Sequence, residues 1–266
     1  ISIQLKDVLI RDSAYAKHKH TSFQCETVGI RINPYFLLLQ KISLKHVSLE
    51  NGSAYLYTDS TGYSNEYLLD NKTDTSKKAE AMGDAPFKRL VVNNFLFTVN
   101  NEQNKKQFAF LLHALTVKTN NHANTISIAI KKDMTVKSMA FSMKEGNFLD
   151  QQRLKGNYTV VVHKENKQLQ LPNINFTISD QPFGFKGVFN FNEHQNYSLT
   201  ITSNQLKYAF AKKILTKNIA KALSIIDLSA PMNTITTLDG SLKGGDPFIV
   251  AKMSISKTLL KTPLLN

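Results

Sequence analysis

The sequence predicts an all-β protein with one C-terminal amphipathic helix, and three observations support it. Apolar and polar residues alternate at period two along most of the 266 residues. Clusters of Asn, Gly, Asp and Lys interrupt the alternation at spacings of about 10 to 20 residues, which suits antiparallel meanders. Helix-length apolar patterns do not intervene between the strands, which argues against a parallel α/β sheet.

The alternation begins at once, with Ile1, Ile3 and Leu5. A natural start rarely falls in mid-strand, so the chain is expected to be a segment of a longer polypeptide. Cys25 alternates with Phe23 and Thr27. As a lone cysteine it forms no internal disulfide, and a buried, inert thiol is expected. Asn33-Pro34 sets an N-cap before a proline at the first helical position, predicting a short helix near 34–40 through Tyr35, Phe36, Leu38 and Leu39. Residues 70–86, opening Asp70-Asn71-Lys72-Thr73-Asp74, are polar and short of large apolar groups, which predicts a mobile loop.

That loop separates a first β region (1–69) from a β-meander over 87–203. The meander carries the strongest alternation: Phe95, Phe97, Val99; Phe108, Phe110, Leu112; Ile126, Ile128, Ile130; Met139, Phe141, Met143; Tyr158, Val160, Val162; and Ile174, Phe176, Ile178. Asn100-Asn101, Asn120-Asn121 and Glu145-Gly146-Asn147 read as turns between them. Phe185, Phe189, Phe191, Tyr197, Leu199 and Ile201 continue it.

The last region, 204–266, joins the amphipathic helix to closing strands, and all four regions are expected to form one continuous elongated domain. The helix is predicted near 204–226, capped by Ser203 or Asn204. Tyr208, Ala211, Leu215, Ile219, Ala222 and Ile226 fall on one stripe, with Lys213, Lys217 and Lys221 opposite. Pro231 makes further helix unfavourable.

A short phrase recurs three times: large apolar, Lys, any, aliphatic, any, aliphatic, any, Asp or Asn. It spans Leu5–Asp12, Leu44–Asn51 and Phe87–Asn94, with its lysines Lys6, Lys45 and Lys88 spaced 39 and then 43 residues apart. Such a period implies one unit stacked on the next, with the Asp or Asn placed where the strand turns.

Lys and Arg outnumber Asp and Glu by 33 to 20, a net charge of +13, which favours anionic partners. The lysines are scattered, and the only arginines are Arg11, Arg31, Arg89 and Arg153. Arginine leads in bidentate contacts to phosphates and bases, so nucleic acid is the weaker option. No apolar run approaches the roughly 20 residues that span a bilayer.

No constellation builds an active site. His18-Lys19-His20 has no third ligand near it in sequence and reads as a solvated loop. Gly244-Gly245-Asp246 lacks the Lys-Ser/Thr of a phosphate loop, and carboxylates are few and scattered. Neither catalysis nor a cofactor is expected.

Two stretches resemble a known family. Ile3-Gln4-Leu5-Lys6-Asp7-Val8 and Ile42-Ser43-Leu44-Lys45-His46-Val47-Ser48-Leu49-Glu50-Asn51-Gly52-Ser53-Ala54-Tyr55-Leu56-Tyr57 resemble the N-terminal periplasmic part of AsmA-like proteins. Thr58-Asp59-Ser60-Thr61-Gly62-Tyr63-Ser64-Asn65 looks like the form found in Bacteroidetes members, and Leu238-Asp239-Gly240-Ser241-Leu242-Lys243-Gly244 like a strand that recurs in the family. The resemblance implies an elongated antiparallel sheet curled into an apolar groove, in a periplasmic protein held to the inner membrane by an N-terminal anchor that this segment lacks. It also implies a part in phospholipid passage or outer-membrane biogenesis, with the rest of the same polypeptide as a partner. No catalytic residues come with it.

Sixteen Phe and no Trp, mostly on one parity, make a broad apolar face. A β-sandwich core in an envelope-assembly scaffold and an open groove for acyl chains bury the same stripe, so the alternation leaves both open. The resemblance favours the groove. The meander residues named above, from Phe95 through Ile178, would then be its lining, with Lys213, Lys217 and Lys221 facing lipid headgroups.

Overall fold

A computed structural model describes residues 1–32, 44–68, 84–243 and 247–256, and the backbone of 260–261. The predicted helix near 34–40 lies outside the described residues, as does the predicted loop except for 84–86.

The chain is all-β and builds one 12-stranded sheet that does not close. Its strands are β1 (Ser2–Ile10), β2 (Phe23–Ile32), β3 (Leu44–Thr58), β4 (Phe87–Asn101), β5 (Lys106–Asn121), β6 (Thr125–Ala140), β7 (Arg153–His163), β8 (Gln168–Ile178), β9 (Gln181–Asn190) and β10 (Asn196–Leu206). After β11 (Asp227–Leu228) come β12 (Met232–Ser241) and β13 (Phe248–Ile255), which complete the sheet, and β14 (Leu260–Lys261), which pairs with β11. Every strand of the large sheet lies beside its neighbour in sequence order, with β11 left out. All pairings are antiparallel except β3 with β4. No second large sheet packs on this one among the described residues, so the two-layer sandwich is not the architecture.

The alternation fixes which face each side chain takes, because period two sends successive residues to opposite sides. Apolar partners run straight across the sheet: Leu49, Val92 and Leu115 on β3, β4 and β5, then Ile126 and Val162 on β6 and β7. The opposite face carries Lys131, Arg153, Lys155, Thr159, Gln170, Lys186 and Thr200. We call the apolar side the inner face.

In the first strands the alternation is reset by one residue. Asp7, Asn51 and Asn94 adopt left-handed backbone, with φ of 50°, 55° and 48°. Val92 and Phe95 therefore share a cluster with Cys25 and Val28 although an odd number of positions separates them. Asp and Asn tolerate this conformation better than most residues. On β5 an extra residue around His113 absorbs the reset, and β6 continues without it.

This corrects one part of the repeat. Leu44 and Phe87 are register partners on the parallel pair, so the second and third copies lie side by side. Their Asn residues sit at the mid-strand reset, where Asn94 Nδ2 donates to Asn51 Oδ1 at 2.9 Å, and not at a strand end. The first copy is offset from its phrase: Leu5 aligns through Val28 with Leu49, so Asp7 occupies the Asn51 position and Asp12 does not.

The predicted helix over 204–226 is also corrected. Asn204–Leu206 stay in β10, and two short helices follow, α2 (Tyr208–Ile214) and α3 (Lys217–Leu223); the single turn α1 (Tyr15–His18) precedes them in the chain. Leu215 and Thr216 are extended between α2 and α3, with ψ of 165° and 155°. The Ile214 carbonyl, which a continuous helix would offer to residue 218, accepts instead from Leu149 N at 2.9 Å in the β6–β7 connection. Thr216 is buried, and its carbonyl accepts from Ala220 N to start α3. No helix among the described residues is long and apolar enough to cross a membrane.

The core has two centres, both on the inner face. One joins β1 to β5 around Cys25, Val28, Val92 and Phe95. The other lies under α2 and α3, where Val136, Leu154, Ile178, Phe183 and Met232 meet Tyr208 and Ala211.

Candidate functional site

The inner face is the candidate site, and strand register decides what reaches it. Phe95–Leu112, Phe97–Phe110 and Val99–Phe108 pair across β4 and β5, and Met139 lies opposite Phe108 on β6. Ile126–Val162, Ile128–Val160 and Ile130–Tyr158 pair across β6 and β7. Ile174, Phe176 and Ile178 continue the row on β8, facing Phe185, Phe183 and Gln181 of β9. The predicted lining thus comes together on one surface, apart from Phe141 and Met143. These two lie past the end of β6 and are exposed; Phe141 meets Phe108 and Phe148 edge-on, with ring centroids 5.3 and 6.0 Å away.

Ile126, Val160 and Ile174 are buried, although α2 and α3 pack over the opposite strand ends around Val136 and Leu154. Among the described residues no second large sheet lies over them, and their cover comes from neighbours within the open, groove-like sheet. Phe97, Phe110, Leu112, Ile128 and Ile130 remain half-buried. The result is an apolar trough along the sheet, roofed near one rim by the two helices.

Glycines deepen the trough where rings lie across it. Gly156 faces Phe176, and a Cβ added there would come within 2.7 Å of the Phe176 Cβ and 3.1 Å of the Tyr158 ring. Gly240 lies under Tyr197 in the same way. Tyr158, Phe176 and Phe185 form a continuous aromatic run, with Phe176 and Phe185 stacked at 4.3 Å.

One charge interrupts this surface. Lys132 sits in mid-strand on β6, opposite Leu115 on β5 and Gly156 on β7. With no side chain at 156, its ammonium lies 4.4 Å from the Phe176 ring centroid and 5.4 Å from that of Tyr158. Burial pushes its pKa down from 10.5 to about 8 and raises that of the Tyr158 phenol. Lys132 was not among the predicted site residues. The signal was present: the parity of Ile126, Ile128 and Ile130 runs through Lys132 to Met134. Leu90, Val92 and Val28 were missed too, because the reset at Asn94 hides their shared face from a simple count.

Lys213, Lys217 and Lys221 are exposed on α2 and α3, so all three are open to an external anion.

His18-Lys19-His20 is not a solvated loop. The Asp12 carboxylate is wholly buried and His18 nearly so, with His18 Nε2 2.9 and 3.0 Å from its two oxygens. His18 Nδ1 accepts from His20 N at 2.9 Å, so Nε2 carries the hydrogen donated to Asp12. Both ring nitrogens are thereby engaged. Ser22 Oγ donates to Asp12 at 3.3 Å and not to the imidazole, so serine and histidine are not joined as nucleophile and base. His18 and His20 stack against Tyr55 and Tyr57 on the outer face, closing the β1–β2 connection. No group of three or more potential metal ligands gathers among the described residues.

No family model matches this chain, and no curated protein matches it.

Proposed function

We propose that this chain is a periplasmic β-groove segment of an AsmA-like protein that binds acyl chains and supports phospholipid passage or outer-membrane biogenesis. The observation that carries the reading is the inner face: apolar side chains from successive strands share one side of a sheet that does not close and that, among the described residues, meets no second large sheet. Burial of an acyl chain contributes about 0.8 kcal/mol per CH₂, so such a face holds lipid without a dense set of polar contacts. The exposed lysines of α2 and α3 are suited to anionic headgroups at the rim. In this reading the remaining polypeptide and an inner-membrane anchor complete the protein.

The test is photocrosslinking with a phospholipid that carries a photoactivatable acyl chain, followed by peptide mapping. Labels are expected on Phe110, Ile130 and neighbouring inner-face positions, and not on Lys131 or Thr159 of the outer face. Labelling spread over both faces, or confined to the outer one, would overturn the reading. Native mass spectrometry of protein from cells should also find co-purified phospholipid.

A further inference from the structure

Resting on the acyl-groove reading, we propose that Lys132 is the anchor for the acidic head of an anionic amphiphile whose chain lies along the inner face. The argument is one of missing complement. Lys164, buried among the described residues, is fully engaged: Nζ lies 2.6 Å from Asp84 Oδ1 and 2.7 Å from His122 O. Arg153 has a bidentate partner in Asp133, at 2.7 and 2.8 Å. Lys132 meets no carboxylate and no hydrogen-bond acceptor among the described residues; only ring faces attend it.

Its surroundings are Leu115 on β5, Ile130 and Met134 along β6, Gly156 and Tyr158 on β7, and Phe176 on β8. Tyr158 is the one other titratable group among these, and its phenol stays neutral throughout the range tested below. An ammonium largely withdrawn from water, with no acceptor among the described residues, is costly to the fold. Gly156 lets Phe176 and Tyr158 close in against the strand, so the ammonium lies over their rings, on the apolar surface along which an acyl chain would run. A carboxylate or phosphate at the end of that chain supplies the missing acceptor through charge-assisted hydrogen bonds.

The experiment is calorimetric titration of the chain with laurate, with lauroyl lysophosphatidylglycerol and with dodecanol, each below its micelle concentration, at about pH 7 and about pH 9.5. Both acidic ligands keep their charge at both values, so a change with pH reports on the protein. At the lower pH an acidic ligand should bind about tenfold tighter than the alcohol. That preference should fade at the higher pH, where Lys132 loses its proton. Lys132→Met should bind dodecanol like the unaltered chain and lack the preference. Lys132→Arg should keep it at both pH values. Whichever acidic ligand shows the larger Lys132-dependent gain names the head, carboxylate or phosphate. A preference that survives in Lys132→Met, or equal binding of acid and alcohol, would overturn the anchor and leave the acyl groove standing. Failure of dodecanol itself to bind would bring down the groove reading and the anchor with it.

Discussion

Lys132 joins two opposed demands, a greasy surface and a charge. Its folded pKa, near 8, lies below the 10.5 of a free lysine. Between those values the unfolded chain holds a proton that the folded chain has lost, so stability rises with pH across that window. Below about pH 8 both states carry the proton and the fold bears the full cost of burying it. Lys132→Met keeps the unbranched shape without the charge. It should raise stability at neutral pH by on the order of 2 kcal/mol, with the gain shrinking to nothing above about pH 10.5. Urea unfolding midpoints at several pH values read this directly; a gain that stays constant with pH would contradict desolvation as the cause. The residue was within reach of the sequence, since it keeps the parity of Ile128 and Ile130. Lysine at a core position is discounted by any rule that assigns charges to water, and only the register opposite Gly156 reveals the space that admits it.

Among elements, the strands were readable because a half-buried sheet writes its two faces into alternate residues. Their mid-strand reset was not, because it depends on one backbone angle. Asn94 illustrates it: at φ 48° a β-branched side chain is strained, whereas glycine is not. Asn94→Val should therefore cost about 1–2 kcal/mol, and Asn94→Gly well under half of that, measured by thermal or chemical unfolding. The helical region shows the other kind of miss. Its stripe of apolar residues was visible, but the break at Leu215–Thr216 is set by Leu149, far away in sequence, taking the Ile214 carbonyl. The two helices are tied again by Tyr208 Oη, which donates to the Leu223 carbonyl at 2.6 Å. Tyr208→Phe leaves that carbonyl without this donor and should cost about 1 kcal/mol, with the loss appearing as faster amide exchange in α3.

At the scale of the whole molecule, composition and alternation could not separate one curled layer from two packed ones. Both bury the same residues, and the difference lies in which strands become neighbours. The sequential order of the sheet decides it. Within this order β1 and β13 form the two margins, each paired on one side only among the described residues. Hydrogen exchange should accordingly be slowest in β4 to β7 and should quicken toward both margins. Strong protection of β1 or β13 in the isolated chain would mean that a margin is paired with something else.

The parallel step between β3 and β4 has a consequence for how the chain assembles. Most other neighbours are joined by shorter connections and pair locally; β10 reaches β12 only by way of α2, α3 and β11, but still as an antiparallel reversal. Between β3 and β4 the polypeptide must travel the full length of a strand before it starts again in the same direction. The loop entropy of that excursion is lost before any ladder bond repays it. The three strands before this step and the nine after it therefore meet at one seam, where Asn51 and Asn94 clasp across the join.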